Sequence, residues 1–208
     1  MVAIIDYNAG NLKSVEKALR FIGEESIITG DYHEILCADK VILPGVGAFG
    51  SAMEQIKRLE LHKAIEEVTE KGTPFLGICL GLQLLFDGSE ESEGVEGLHI
   101  LPGAIKKIQG EPGMKIPHVG WNSLEIKPGA TLFQGIPNGA YVYYVHSYYL
   151  EAKDPEIVTA TTQYGVNIHG SVEKGNVFAC QFHPEKSSTV GLSLLKNFAG
   201  LKGECAVC

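Results

Sequence analysis

The stretch Thr73-Pro-Phe-Leu-Gly-Ile-Cys-Leu-Gly-Leu-Gln83 decides the fold of this 208-residue chain. Its first half is a short apolar run typical of a buried strand, and residues 80–86 have the pattern of a helix. A strand that turns at once into a helix strains its corner residue, Cys79, and glycines at positions 77 and 81 relieve the crowding there. We interpret the motif as a nucleophile elbow with cysteine as the nucleophile.

Cys79 has the surroundings of a reactive thiol. At a helix N-terminus the partial positive charge favours the thiolate, which is the attacking species. The backbone N–H of Leu80 points toward the same place, which predicts an oxyanion donor. The alternative is a buried cysteine that acts as a small hydrophobic residue, and no catalytic role is predicted for Cys37 or Cys180.

The sequence around the elbow alternates short apolar runs with helical patterns, which predicts βαβ units and a parallel sheet. Strands are predicted over residues 2–5, 26–29, 40–43 and 73–78, and helices over 12–22 and 52–71, with Asn11 as an N-cap. The second half has strand patterns at 104–108, 141–145, 157–162 and 177–181, with short connections that favour antiparallel pairing, and a final helix over 187–199. We therefore predict one α/β domain over residues 1–208, with a central mixed, largely parallel sheet flanked by helices and a flexible tail of about eight residues.

A thiol nucleophile needs a base, and the base needs a group that fixes its tautomer. Among seven histidines, His183 stands out because it lies in Gln181-Phe-His-Pro-Glu185, between the last predicted strand and the last helix. Pro184 restricts the backbone so that His183 and Glu185 can turn to one side of the loop. The alternative is a strand-to-helix turn with an unrelated histidine and a glutamate that caps the helix.

Composition and charge exclude several classes of protein. The net charge is −8 and there is no dense Lys/Arg cluster, which disfavours nucleic acid as a partner. The acidic run at residues 90–93 is interpreted as a solvated loop. No apolar run has the roughly 18 residues that a membrane span needs, and the N-terminus lacks the pattern of a signal peptide. We expect a cytoplasmic protein that binds neither nucleic acid nor membrane.

The cysteines do not indicate a disulfide framework, because they are five in number and scattered along the chain. Cys205 and Cys208 form a CxxC pair near the C-terminus, but the two further ligands of a zinc site are not nearby in sequence. The preferred interpretation is a frayed tail. No metal is predicted.

The segment Gly45-Val-Gly-Ala-Phe-Gly50 matches the G-x-G-x-x-G pattern of dinucleotide-binding proteins. It follows the third predicted strand instead of the first, Pro44 alters the strand exit, and the sequence about twenty residues later is helical. A glycine strand that presents backbone N–H groups to an oxyanion or a substrate is the preferred interpretation, and a plain tight turn stays open.

Three motifs together resemble the class I (triad) glutamine amidotransferase family: Pro44-Gly-Val-Gly47, the stretch from Gly77 to Gln83, and His183-Pro-Glu185. They occur in that family's order across nearly the whole chain. Within the family, Asp6–Leu12, Ile116–Asn122 and Tyr143–Tyr148 resemble the glutaminase subunits of imidazole glycerol phosphate synthases. The resemblance covers residues 1 to about 200.

The resemblance implies a mechanism. Cys79 attacks the side-chain amide of glutamine, and the backbone N–H groups of Val46 and Leu80 hold the oxyanion. His183 gives a proton to the departing ammonia and then activates water to cleave the thioester, while Glu185 orients His183. No cofactor is implied, because the thiolate does the chemistry.

The resemblance also implies a substrate site and a partner. The residues that match positions holding glutamine are Gly47, Gln83, Ser147 and Tyr148. Ammonia passes to a (β/α)8-barrel cyclase subunit, in a heterodimer that makes imidazole glycerol phosphate and aminoimidazole carboxamide ribotide in histidine biosynthesis. The residues that match interface positions are Trp121, Tyr143 and Lys186, although they could equally be a core aromatic, a strand aromatic and a solvated lysine.

Three rival hypotheses remain. The chain could be a glutaminase that serves another synthase, a cysteine peptidase or other hydrolase with the same triad, or a non-catalytic amidotransferase-like scaffold. Trp121 and its flanking residues argue against the first, and Gln83 with the glycine strand against the second. An intact Cys, His and Glu argue against the third.

Overall fold

The secondary structure alternates strands and helices in the first half and is mostly strands in the second. The structure, a computed structural model, describes residues 1–110 and 112–203. The strands are β1 Val2–Ile5, β2 Ser26–Thr29, β3 Lys40–Gly45, β4 Phe75–Cys79, β5 Gly88–Ser89, β6 Gly103–Lys107, β7 His118–Ser123, β8 Glu125–Ile126, β9 Tyr141–His146, β10 Tyr148–Ala152, β11 Val158–Tyr164, β12 Val166–Lys174 and β13 Val177–Cys180. The helices are α1 Leu12–Phe21, α2 Tyr32–Leu36, α3 Phe49–Arg58, α4 Leu61–Glu70, α5 Leu80–Leu84 and α6 Ser188–Ala199, with 3-10 turns at Thr131–Phe133, Pro155–Ile157 and Pro184–Lys186.

An eight-stranded sheet with the order β2-β1-β3-β4-β13-β12-β11-β8 forms the centre of the molecule. The five strands from β2 to β13 are parallel to one another, and β12, β11 and β8 continue the sheet in antiparallel pairing. Two smaller sheets, β10-β6-β5 and β7-β9, lie beside it. The predicted mixed, largely parallel sheet is therefore confirmed.

The sheet is buried on both faces, which explains its continuous apolar strands. Because successive side chains point to opposite faces, Ala3 and Ile5 of β1 join the apolar cluster under α2, α3 and α4. Val2 and Ile4 join the second cluster, under α1 and α6. The parallel strands end at a common edge, where β3 and β4 pair up to Gly45 and Cys79 and β13 pairs with β4 up to Cys180.

The prediction of one helix over residues 52–71 was wrong. The structure has two helices, α3 and α4, separated by Leu59 and Glu60. Glu60 has a left-handed backbone conformation with φ 57° and ψ 15°, which no continuous helix allows. Both helices turn their apolar sides to the same cluster, so the hydrophobic spacing continues across the break and hides it.

Candidate active site

Cys79 lies at the corner between β4 and α5, and its backbone is strained. Its φ is 56° and its ψ is −109°, a conformation that costs on the order of 1–3 kcal/mol in a residue other than glycine. The two flanking glycines are required by close approach. A Cβ on Gly81 would lie 1.8 Å from the carbonyl oxygen of Leu43, and one on Gly77 would lie 2.8 Å from that of Gly81. The steric reasoning from the sequence thus agrees with the geometry.

His183 and Glu185 form a buried pair next to this corner. Nδ1 of His183 lies 2.8 Å from Oε1 of Glu185, and their side chains are only 2% and 1% exposed. The same Oε1 accepts a hydrogen bond from Nδ2 of Asn11, at 3.2 Å. Asn11 occupies the predicted N-cap position of α1, but its side chain makes no capping hydrogen bond there and donates to Glu185 instead.

The loop that carries His183 is fixed to strand β9 by backbone contacts. The N–H of His183 donates to the carbonyl of Tyr143 at 3.0 Å. Ser187 links the two segments, because its hydroxyl donates to the carbonyl of His183 at 2.6 Å and accepts from the N–H of Tyr143 at 2.9 Å. The position of the imidazole is thus set by a strand distant in sequence.

The electrostatics favour a charged His183. Burial by itself lowers the pKa of His183, but interactions with Cys79 and with Glu185 outweigh this effect and raise the pKa to about 9. Among the described residues, Nε2 of His183 has no hydrogen-bond partner. The imidazole can therefore hold a proton beside the sulfur and release it toward the cavity.

Most of the predicted site residues meet around one cavity of about 430 Å³. Its walls include Val46, Gly47, Cys79, Leu80, Gln83, Ser147, Tyr148, His183 and Lys186. Glu185 lies behind His183, outside the lining, and Trp121 and Tyr143 also lie outside it. The residues predicted for catalysis and glutamine binding are thus brought together, while their individual roles stay predictions.

Trp121 and Tyr143 pair across the two-stranded sheet β7-β9, with ring centroids 6.0 Å apart. Trp121 is 52% exposed. The same side of this sheet exposes Val119, Tyr141 and Val145, and Val145 also lines the cavity. We call these five residues the β7-β9 face.

The acidic run at residues 90–93 was predicted as a solvated loop, which holds for the exposed Glu90 and Glu93 but is wrong for the half-buried Glu91. Glu91 accepts a hydrogen bond from the N–H of Phe49 at 2.7 Å, so it holds the first turn of α3. Glu90 accepts from the N–H of Lys107 at 2.8 Å. Glu91 also lines the cavity, a role that sequence reasoning missed because nothing local links this loop to the elbow.

One further residue beside the nucleophile was missed. Gln181 is fully buried and donates from Nε2 to the sulfur of Cys79, at 3.7 Å. Its neighbour is Gln83, whose Nε2 donates to Oε1 of Gln181 and to the carbonyl of Tyr148, both at 3.1 Å. The sequence did hold a signal for Gln181, because it stands two residues before His183.

A pair of neutral histidines supports the carbonyl of Tyr148. Nδ1 of His146 lies 2.8 Å from this carbonyl and must donate to it, which leaves Nε2 of His146 to accept from Nδ1 of His118 at 3.0 Å. Nε2 of His118 faces Nδ2 of Asn122, at 3.3 Å. Burial lowers the pKa of both histidines to about 4, so both imidazoles are neutral near pH 7.

Cys205 and Cys208 lie outside the described residues. Across residues 1–110 and 112–203, no group of three His, Cys, Asp or Glu side chains is arranged to hold a metal ion. In the same part of the chain, no helix combines the length and the apolar character that crossing a membrane requires.

The model of the class-I glutamine amidotransferases matches residues 3–200. This chain belongs to the class-I glutamine amidotransferase family. A crystal structure of a glutamine amidotransferase superposes on this amidotransferase with a TM-score of 0.74 at 18% identity, covering 95% of this chain and 97% of the other, which shows the shared fold.

More similar relatives of this class-I amidotransferase share about half of its residues. The imidazole glycerol phosphate synthase subunit HisH of Bacillus cereus (strain G9842) is 53% identical over 201 residues, covering 97% of this chain and 95% of the relative. The subunit HisH of Moorella thermoacetica is also 53% identical over 201 residues, covering 96% and 94%. The resemblance drawn from the sequence motifs is thereby confirmed.

Proposed function

We propose that this chain is the glutaminase subunit of an imidazole glycerol phosphate synthase, acting in the cytoplasm on free glutamine. The observation that carries the proposal is the convergence of three groups at one cavity wall. These are the thiol of Cys79 on its strained backbone, the imidazole of His183 with Glu185 buried behind it, and the glycine segment at Val46 and Gly47. The relatives named HisH supply the specific pathway.

The reaction begins with attack of the Cys79 sulfur on the side-chain carbonyl of glutamine. His183 carries the proton, gives it to the departing amine as ammonia leaves, and then takes a proton from the water that cleaves the thioester. Glu185 holds Nδ1 of the imidazole, so that Nε2 does the proton transfer at both steps. Asn11 keeps the carboxylate in place for this role.

The oxyanion is stabilised by backbone donors in this proposal. Leu80 begins α5 directly after the nucleophile, so its N–H belongs to the same corner as the sulfur. Val46 provides the second N–H from the glycine segment after β3, which lies at the cavity wall and is 42% exposed there. Donors that meet the charge only as it develops lower the barrier without tightening substrate binding.

The α-ammonium group of glutamine also has a complementary side chain at the cavity wall. Glu91 is the acidic side chain among the described lining residues, and its position suits an α-ammonium group. Both side-chain N–H groups of Gln83 donate to carbonyl oxygens of the protein, so Oε1 of Gln83 is the atom left to accept from the substrate. Gly47, Ser147 and Tyr148 complete the proposed glutamine site.

The β7-β9 face is the proposed docking surface for a (β/α)8-barrel cyclase subunit. It exposes three large side chains, Val119, Trp121 and Tyr141, at 55%, 52% and 58%, and large exposed apolar patches are typical of protein interfaces. Val145 belongs both to this face and to the cavity wall, and Lys186 lies at the same wall. Ammonia formed at Cys79 would therefore leave toward the bound partner.

The test is release of ammonia from glutamine, with and without the barrel synthase and its ribotide ligand. Wild-type protein is expected to respond strongly to the liganded partner, and Cys79→Ala to release none. Cys180→Ala is the matched control, because Cys180 is a buried thiol on the neighbouring strand that does not line the cavity. It should retain most of the activity.

Each of the other outcomes would indicate a different function for the protein. Stimulation by a different synthase alone would indicate a glutaminase of another pathway. Absence of ammonia under every condition, with a Cys79 that no glutamine-like electrophile labels, would leave the non-catalytic scaffold.

A further inference from the structure

Gln181 is a polar side chain buried against the nucleophile with no part in the mechanism so far. It follows β13, the strand that pairs in parallel with β4, so it stands beside Cys79 at the common edge of the sheet. Gln181 is 0% exposed, and its backbone N–H donates to the carbonyl of Gly170. A buried amide is costly unless its groups are hydrogen-bonded, so its partners indicate why it is there.

The orientation of this amide is determined by a chain of contacts. The carbonyl of Tyr148 can only accept, which identifies the atom of Gln83 beside it as the donating nitrogen. The second N–H on that nitrogen points to Gln181 and requires an oxygen there. Oε1 of Gln181 therefore faces Gln83, and its NH₂ group faces the sulfur of Cys79 at 3.7 Å.

We infer that Gln181 is a catalytic residue that donates a hydrogen bond to the Cys79 thiolate, and that Gln83 is the positioning residue that aims it. An N–H on sulfur favours the charged form over the thiol, because the thiolate is the stronger acceptor. The inference rests on the proposed role of Cys79 as nucleophile and adds a second stabilising contact, distinct from His183.

The other titratable groups around the sulfur do not perform this task. Tyr7 and Cys180 are both buried, and both interact electrostatically with Cys79. Ionisation of either group would add negative charge and disfavour a thiolate. His183 must move its proton during the reaction, so its support for the thiolate changes from step to step. Gln181 is uncharged and keeps its donor throughout.

The experiment measures alkylation of Cys79 by iodoacetamide between pH 5 and pH 10, with the modified peptide quantified by mass spectrometry. Gln181→Met keeps the volume and removes the donor. Its rate at pH 7 is expected to fall about tenfold, with the pH of half-maximal rate raised by about one unit. Gln181→Glu, which places a carboxylate at the sulfur, should shift the profile further, and Gln83→Met should shift it less.

Ser171→Ala is the matched control for lost buried hydrogen bonding. Ser171 is fully buried on β12, opposite Cys180, and donates to the carbonyl of Ala179 without touching the sulfur. The Ser171→Ala variant should melt at a lower temperature and keep the wild-type alkylation profile. A wild-type profile in a folded Gln181→Met or Gln181→Glu variant would overturn the inference.

Alkylation needs neither glutamine nor the partner, so this test is separate from that of the proposed function. Shifted profiles in a protein that never releases ammonia would retain the thiolate contact and reject the glutaminase. Ammonia release with unshifted alkylation profiles would support the glutaminase and reject the contact between Gln181 and the thiolate.

Discussion

At the scale of single residues, the site depends on two unusual side-chain environments. Cys79 has a strained backbone, and the chain packs closely around it at Gly77 and Gly81. His183 is almost fully buried and yet has a raised pKa, because Cys79 and Glu185 stabilise its charged form. A charge held in this way also contributes to the free energy of folding.

This coupling predicts how stability depends on pH. Since the pKa of His183 is raised to about 9 in the folded protein, its contribution is fully present below the ordinary histidine range, near pH 6.5, and is lost as pH rises through about 9. The expected loss is on the order of 2–3 kcal/mol, measured by urea unfolding between pH 6 and pH 9.5.

Glu185→Gln is the control for this prediction. It removes one of the charges that raise the pKa of His183, so the fall in unfolding free energy over the same pH range should become smaller. If the unfolding free energy fell equally with pH in wild type and variant, the raised pKa of His183 would not depend on Glu185.

At the scale of elements, the contact between β3 and α5 is closer than any side chain would allow. Gly81 in the first turn of α5 packs directly on the carbonyl of Leu43 in β3, which brings the elbow against the neighbouring strand. This contact fixes the height of Cys79 above the sheet edge. It also brings the glycine segment after β3 to the cavity that contains the sulfur.

Gly81→Ala is therefore expected to destabilise the protein severely. Its Cβ would lie 1.8 Å from a backbone oxygen, and neither element has a flexible end to move away. We expect a loss of at least about 3 kcal/mol in thermal or urea unfolding. The matched variant is Gly200→Ala at the end of α6, where the nearest atoms are 3.5 Å away and the change should stay within about 0.5 kcal/mol. Similar losses in both variants would rule out the close contact as the cause.

At the scale of the whole molecule, one edge of the large sheet and one small sheet share the cavity. The parallel strands deliver Cys79 and His183, while the two-stranded sheet β7-β9 contributes Val145 and His146 and fixes the loop of His183 through Tyr143. The face that we propose for the partner is thus connected directly to the loop that carries His183. A partner bound there could alter the position of His183 through few intervening contacts.

Trp121→Ala should weaken binding of the barrel synthase that we propose as the partner. Loss of a large exposed aromatic at the centre of an interface typically costs about 2 kcal/mol or more, so we expect Kd to rise at least about tenfold in calorimetry. Cys79 alkylation of the isolated chain should not change, because Trp121 does not line the cavity.

Phe21→Ala is the control for the docking face. Phe21 is 77% exposed at the end of α1, outside the β7-β9 face, and its removal should leave Kd unchanged. Equal weakening by the two variants, or by neither, would place the partner on another surface.

The sequence by itself determined the architecture and the identity of the chemistry. The alternation of apolar runs predicted the parallel half of the sheet, and the spacing of Gly77, Cys79 and Gly81 predicted the elbow, because both depend on local sterics and side-chain period. The glycine-flanked motif at residues 77–81 pointed to Cys79, and the His-Pro-Glu motif pointed to His183. The sequence did not predict the helix break at Glu60, because the helical spacing of the apolar residues continues across the turn.

Only the tertiary structure decided which residues support the groups proposed for catalysis. Asn11 orients Glu185 from 174 positions away, and Gln83 meets Gln181 across 98 positions. Such contacts follow from strand order and register, since parallel strands bring the ends of distant segments to one edge of the sheet. The direction of an amide depends on what its neighbours can donate or accept, and those neighbours become known only when the chain is folded.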